Sequence, residues 1–154
     1  MRLTALGVAL LAASAVHAQD VDPQEVAYGE YGSVESSLSG APGDAEAGAN
    51  VASTRGLGNC VACHQISALD AAFQGEIGPP LDGVADRWGE AELRGIVANA
   101  KITFPDTVMP AFYKSTGFIR PGDAFTGKAG TEPLPPLLTA QQVEDVVAFL
   151  MTLK

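Results

Sequence analysis

The most regular pattern of apolar and polar positions lies at the C-terminal end of the chain, in residues 139–154. Thr139 is a suitable N-cap, and Gln142, three positions later, can complete a capping box. Leu138 and Val143 can add a hydrophobic staple across the start of the helix. The apolar positions recur at the spacing of one helix face: Val143, Val146, Val147 and Leu150. The pattern predicts an amphipathic helix.

A second helix is predicted from Asp44, which suits an N-cap, to about Arg55 or Leu57. Gly48 and Ala52 lie four positions apart, so they share one face of this helix. Because both side chains are small, another helix can approach this face closely. We expect the C-terminal helix to pack there.

A third, shorter helix is predicted over residues 90–100, where Leu93, Ile96 and Val97 share a face. Prolines interrupt the segment that follows it. Residues 111–138 are rich in glycine and proline, and a connection of this length is usually functional or mobile. Its aromatic residues argue against a loop that is fully solvated, and we expect some of them to cover a cofactor edge or face a partner: Phe112, Tyr113, Phe118 and Phe125.

The N-terminal end predicts a secretory signal peptide in residues 1–18. Arg2 precedes a short apolar run from Leu3 to Val16, and Ala18 provides a small residue at the cleavage position. The apolar run is too short to span a membrane. Cleavage after Ala18 leaves 136 residues, since 154 − 18 = 136. A chain of that size suggests one exported domain without a membrane anchor.

Residues 19–43 form an N-terminal arm in which neither a helical nor a strand period persists. The polar, glycine-rich end of the arm suits a disordered tail. Its apolar residues and Tyr28 and Tyr31 equally suit an arm that lies on a partner. Both interpretations stay open, and residues 44–154 are predicted to be the folded domain.

The charge of the chain excludes some partners. Lys and Arg number 9 and Asp and Glu number 18. Without Arg2 the net charge becomes 8 − 18 = −10. So acidic a protein is poorly suited to bind nucleic acid or an anionic membrane. The charge suits solubility, or a partner with a basic face.

The chemistry-bearing motif is Cys-Val-Ala-Cys-His at residues 60–64, the pattern of c-type haem attachment. In this pattern Cys60 and Cys63 form thioethers with the two haem vinyl groups, and His64 supplies a nitrogen ligand to the iron. A structural zinc site would need four cysteine or histidine ligands. The chain has two cysteines, and its second histidine, His17, lies in the predicted signal peptide. A redox disulfide would follow a strand, whereas helical sequence precedes Cys60.

Two further features suit the surroundings of a haem. A bound histidine usually donates its second ring N–H to a carbonyl or carboxylate, and the Pro79 carbonyl is a good candidate. Arg87 or Trp88 can hydrogen-bond a haem propionate, and Arg is the stronger candidate for a carboxylate. A surface arginine and a core tryptophan are the plain alternatives.

The second iron ligand is predicted to be Met109. Once His64 is used, no histidine remains in the mature chain, and its methionines are Met109 and Met151. Met151 lies among the apolar residues of the C-terminal helix. Met109 precedes Pro110, which favours extended backbone that can lay a thioether across a haem face. His/Met ligation raises the reduction potential and suits electron transfer.

In this order, the motifs resemble those of class I cytochromes c over residues 44–154, which implies a single all-α domain with an N-terminal extension. A narrower resemblance is to the SoxX family, the monohaem cytochrome c subunits of SoxAX complexes in sulfur-oxidising bacteria. It is carried by three segments: Ile77–Trp88, Val108–Tyr113 and Leu138–Lys154.

The resemblance implies a periplasmic heterodimer with SoxA that acts as an L-cysteine S-thiosulfotransferase. Thiosulfate is joined oxidatively to a cysteine of the carrier protein SoxY, with the catalytic haem and cysteine on SoxA. The haem c bound here through Cys60 and Cys63, with His64 and Met109 as iron ligands, would pass electrons to a soluble cytochrome. A free-standing periplasmic electron carrier and a haem-based sensor remain as alternatives.

Overall fold

A computed structural model describes residues 19–122 and 126–154. The predicted signal peptide, with His17, and the loop residue Phe125 lie outside these ranges. The described residues form four α-helices and one 3-10 turn, with no β-strand: α1 Ala45–Ser53, the turn Cys60–Ala62, α2 Val84–Arg87, α3 Glu90–Thr103 and α4 Ala140–Leu150. None of the helices in this part of the chain has the length and apolar character needed to cross a membrane.

The packing of α1 on α4 is the central contact of the fold. Asp44 caps α1, because its side chain accepts from the backbone N–H groups of Glu46 and Ala47. A Cβ built on Gly48 would lie 1.9 Å from the carbonyl oxygen of Asp145 in α4. Only a residue without a side chain permits this approach. The predicted contact between the small-residue face and the C-terminal helix is therefore confirmed.

The start of α4 also agrees with the sequence. Thr139 and Gln142 form the predicted capping box, and Leu138 is 2% exposed. The apolar stripe of the helix is buried: Val143, Val146, Val147 and Leu150. The helix ends at Leu150, and residues 151–152 turn so that the Leu153 carbonyl accepts from the Ala85 N–H. The last residues thus pack on α2 instead of extending the helix.

Helix α3 is longer than predicted and is interrupted at Asn99, whose backbone is extended (φ −155°, ψ 86°). In a regular helix, the carbonyls of Val97 and Ala98 would accept from N–H groups four residues later, beyond Asn99. Those carbonyls accept instead from the N–H groups of Phe112 and Tyr113, at 3.4 and 2.9 Å. The break therefore joins α3 to the segment that follows Met109.

Residues 19–43 are ordered and lie on their own domain, an arrangement that the sequence pattern did not indicate. Leu38 is 1% exposed, and its N–H donates to a Glu144 carboxylate oxygen at 2.7 Å. The same carboxylate accepts from Arg94, whose guanidinium also donates to the Val34 carbonyl. Tyr113 donates its hydroxyl to the Val21 carbonyl. A buried charge pair thus ties the arm to α3 and α4.

Candidate haem-binding site

The Cys60–His64 motif begins with the 3-10 turn, and a short segment connects this turn to the end of α1. The segment folds back onto α1 because the N–H groups of Gly58 and Asn59 both donate to the Val51 carbonyl. Within the motif, the N–H groups of Cys63 and His64 both donate to the Cys60 carbonyl, at 3.1 and 2.9 Å. This tight turn brings the two thiols and the imidazole into one small region of the chain.

Both cysteines are unpaired and half-buried. Burial raises the pKa of the Cys60 thiol to about 11, and the neighbouring Cys63 adds to the rise. A redox-active Cys-x-x-Cys pair relies on a thiol whose pKa is lowered, so that the nucleophilic thiolate forms. The raised pKa of Cys60 is the opposite of that pattern.

The imidazole of His64 is oriented by the chain in the way the sequence predicts. Its Nδ1 lies 2.7 Å from the Pro79 carbonyl oxygen. A carbonyl only accepts, so Nδ1 donates in this contact and Nε2 is the ring nitrogen left to bind a metal. A backbone acceptor for the second ring nitrogen is the usual arrangement around a histidine that binds a metal.

Two glycines that the sequence did not single out as site residues bring the Pro79 loop against the motif. A Cβ on Gly78 would lie 2.2 Å from Cε1 and 2.5 Å from Nδ1 of His64. A Cβ on Gly75 would lie 2.1 Å from the Ala62 carbonyl oxygen. The N–H groups of both glycines donate to the motif, that of Gly78 to the Cys63 carbonyl at 2.8 Å. The sequence feature that could have indicated this close approach is the pair of glycines three positions apart, just before Pro79.

Arg87 also stabilises the loop that contains Pro79. Its guanidinium donates to the carbonyls of Pro80 and Asp82, at 3.0 and 2.9 Å. The Asp82 carboxylate accepts from the Ser67 N–H and hydroxyl, at 3.0 and 2.6 Å, and these hydrogen bonds lower the pKa of Asp82. Arg87 thus holds the backbone of residues 80–82, immediately after Pro79. Trp88, the other candidate for a propionate, packs edge-on against Phe104, with ring centroids 6.0 Å apart.

Met109 is half-buried in a loop whose backbone is held at several points. Its N–H donates to the Thr107 hydroxyl at 3.2 Å, and its carbonyl accepts from the Lys101 ammonium at 3.0 Å. Met151 is also half-buried, so burial does not distinguish the two methionines. Their backbones do, because Met151 caps the end of α4 whereas Met109 lies in an irregular loop. Met109 stays the predicted distal ligand.

The surroundings of these residues fit a haem. The segments that lead into Gly78 and Met109 expose large apolar side chains: Phe73 103%, Ile77 72%, Phe104 43% and Val108 80%. Exposed apolar side chains of this size are found at ligand and partner sites. The two unpaired cysteines and the oriented histidine are the donor set of covalent haem c. The described residues contain no cluster of three or more His, Cys, Asp or Glu side chains able to hold a metal ion.

Two comparisons with known proteins identify the family of the chain. The sequence profile of the family described as cytochrome c matches residues 45–154. A chain in the crystal structure of SoxXA from P. pantotrophus is similar in structure, with a TM-score of 0.85 and 66% sequence identity. That match covers 88% of this chain and 99% of the other. No curated protein sequence matches the chain.

These findings confirm two predictions made from sequence. The all-α class I cytochrome c fold is supported by the helical structure and by both comparisons. The resemblance to SoxX is supported by the structural match at 66% identity. The chain belongs to the cytochrome c family, in the branch that includes the SoxX subunits.

Proposed function

We propose that the chain is the haem c electron-transfer subunit of a periplasmic SoxAX-type complex. The observation that carries this proposal is the His64 imidazole, held by Pro79 at 2.7 Å beside Cys60 and Cys63, in a chain 66% identical to one in the SoxXA structure. The complex would act as an L-cysteine S-thiosulfotransferase, joining thiosulfate oxidatively to a cysteine of a SoxY-type carrier. Bound haem c supplies a one-electron couple to this chain.

Each site residue has a defined role in the proposal. Cys60 and Cys63 hold the haem covalently, and His64 provides the proximal nitrogen through Nε2. The hydrogen bond to Pro79 fixes the orientation of the imidazole and uses Nδ1, so that Nε2 is the nitrogen left to bind iron. Met109 provides the distal thioether, a ligand that raises the reduction potential. This combination suits a subunit that accepts electrons.

The cysteine count supports a division of labour between two subunits. The chain has two cysteines, and haem attachment uses both of them. Sulfur-bond chemistry would need a further thiol or sulfur ligand. We therefore assign the catalytic haem and cysteine to a SoxA partner and give this chain no catalytic residue. Electrons would leave it for a soluble cytochrome.

The location in the proposal is the periplasm, with export directed by residues 1–18 and cleavage after Ala18. The apolar run from Leu3 to Val16, between Arg2 and a small residue, supports export. The structural match covers 88% of the 154 residues, about the length that remains after residue 18. Covalent haem attachment to c-type cytochromes also takes place outside the cytoplasm. N-terminal sequencing of the secreted protein tests the cleavage position.

Affinity purification from the native host tests the complex. A tag at the C-terminus of this chain should recover a second haem-bearing polypeptide in equal amount. Adding thiosulfate and a SoxY-type carrier to the oxidised complex should reduce the haem of this chain, as observed by its visible absorption. Recovery of the chain alone would support a free-standing carrier instead. A Cys60→Ser, Cys63→Ser double variant, which cannot hold covalent haem, provides the control.

A further inference from the structure

The break in α3 at Asn99 turns the last part of the helix toward the loop that carries Met109. Lys101, two residues after the break, places its ammonium 2.8 Å from the Thr107 carbonyl oxygen and 3.0 Å from the Met109 carbonyl oxygen. One side chain therefore binds two backbone carbonyls on either side of Val108. Both hydrogen bonds are charge-assisted, which makes them stronger than bonds between neutral groups.

Both polar backbone groups of Met109, the N–H and the carbonyl, make hydrogen bonds. Its carbonyl accepts from Lys101, and its N–H donates to the Thr107 hydroxyl at 3.2 Å. The Thr107 N–H in turn donates to the Phe104 carbonyl at 3.0 Å. Residues 107–109 are thus held by hydrogen bonds to the Lys101 ammonium and by the hydrogen bond between Met109 and Thr107.

The segment after Met109 is held by α3 as well. The carbonyls of Val97 and Ala98, immediately before the break, accept from the N–H groups of Phe112 and Tyr113. Phe112 and Tyr113 are buried at 7% and 4% exposure. Helix α3 therefore fixes the Met109 loop from both sides of Asn99, by the carbonyls before the break and by Lys101 after it.

We infer that Lys101 is a positioning residue for the Met109 thioether. A thioether is a neutral, soft ligand on a flexible side chain, so its residence at the iron depends on where the backbone holds it. Lys101 restricts that backbone before any bond to the iron forms, and so lowers the conformational entropy lost on ligation. This inference rests on the proposed function, in particular on Met109 as the distal ligand.

The test compares Lys101→Leu with Lys114→Leu in the full, haem-loaded chain. Leucine keeps part of the apolar stem of lysine, removes the donors and adds no group that binds iron. Lys114 is a matched control, because it lines the same cleft of about 310 Å³ as Lys101 but donates to the Gly117 carbonyl instead of to the Met109 loop. Imidazole competes with a weak distal ligand for ferric iron, and the near-infrared methionine–iron charge-transfer band reports methionine ligation.

Lys101→Leu is expected to lose the near-infrared band at an imidazole concentration about tenfold lower than wild type, the size of effect of a lost charge-assisted hydrogen bond. Lys114→Leu should match wild type. Lys101→Arg, which retains a cationic donor, should keep most of the wild-type resistance to imidazole. Equal imidazole midpoints for Lys101→Leu and wild type would overturn the inference.

The spectra distinguish failure of the Met109 assignment from failure of the Lys101 role. Absence of the near-infrared band in the wild-type protein would overturn Met109 as the ligand and the role of Lys101 with it. A wild-type band whose imidazole midpoint is the same in Lys101→Leu would overturn only the role of Lys101. If Lys101→Leu does not accumulate with haem, Lys101→Gln takes its place with the same outcomes, since the glutamine side chain is too short to bridge both carbonyls.

Discussion

His64 donates from Nδ1 to the carbonyl oxygen of Pro79 at 2.7 Å, across 15 residues of sequence. Proline has no N–H, so its carbonyl is the only polar backbone group that it offers. The contact needs Gly78 immediately before Pro79, because any side chain there would overlap the imidazole ring. The orientation of the His64 imidazole thus depends on a local proline turn and on the absence of a Cβ at Gly78.

Gly78→Ala should disturb the proximal ligand. The new Cβ would lie 2.2 Å from Cε1 of His64, so the ring or the Pro79 loop must shift. We expect weakened proximal ligation, observed as a changed visible spectrum of the ferric haem, and a loss of about 1–3 kcal/mol in the free energy of unfolding, as for other overpacked sites.

Gly56→Ala is the control for this substitution, because no atom lies within 4 Å of a Cβ built at Gly56. It should retain the wild-type spectrum and stability. A normal spectrum for Gly78→Ala would show that Gly78 is not required for the position of His64, and unchanged stability would show that the loop moves without cost.

Met109→Ala should abolish the near-infrared methionine–iron band and lower the reduction potential, because the distal thioether is removed. Met151→Leu is the matched control, since Met151 packs against the core at the end of α4. It should keep the band. Loss of the band in Met151→Leu together with its survival in Met109→Ala would reverse the assignment.

Gly48→Ala should destabilise the contact between α1 and α4. Its Cβ would lie 1.9 Å from the Asp145 carbonyl oxygen, which belongs to the helix backbone and cannot rotate away. Separating two packed helices is expected to cost about 3 kcal/mol or more in the free energy of unfolding. Guanidinium unfolding of the haem-loaded protein measures this, again with Gly56→Ala as control.

Glu144→Gln should also be strongly destabilising. Glu144 and Arg94 are each 4% exposed, and removing one partner of a buried ion pair costs about 3–5 kcal/mol. Glu90 is the matched control, because it pairs with the same Arg94 but its side chain is 62% exposed. Glu90→Gln should change the free energy of unfolding by less than about 1 kcal/mol. Similar losses for both variants would argue against Glu144 as the anchor of the arm.

Ser67→Ala should raise the pKa of Asp82 toward the ordinary value of about 3.9. The two hydrogen bonds from Ser67 lower this pKa in the folded protein. A lowered pKa contributes stability above the unfolded value, and that contribution is lost as the pH falls through the folded value. The alanine variant keeps the backbone donor and should retain only part of this acid-sensitive stability.

A carboxyl NMR titration of Asp82 measures the change directly. Ser36→Ala, at an exposed serine of the arm, is the control and should leave the Asp82 titration in place. An Asp82 pKa that is equal in Ser67→Ala and wild type would show that the hydroxyl does not stabilise the carboxylate.

Local spacing was enough to predict much of this molecule. The motif at residues 60–64 and the capping box of Thr139 and Gln142 act through neighbours on the same turn, and the small-residue face that contains Gly48 can be identified from spacing along one helix. The Pro79 acceptor was predictable too, because an iron-bound imidazole needs a partner and proline turns expose carbonyls. These are rules that a short stretch of sequence obeys by itself.

Other features were decided only by the tertiary structure. The arm joins its own domain because Leu38 meets Glu144, 106 residues away, and Glu144 meets Arg94, 50 residues away. Spacing along the chain does not reveal such pairs. The break at Asn99 and the reach of Lys101 to Met109 likewise depend on where α3 lies relative to a loop. The sequence determined which groups could hold a haem, and long-range packing determined how firmly each is held, because that depends on contacts between distant segments.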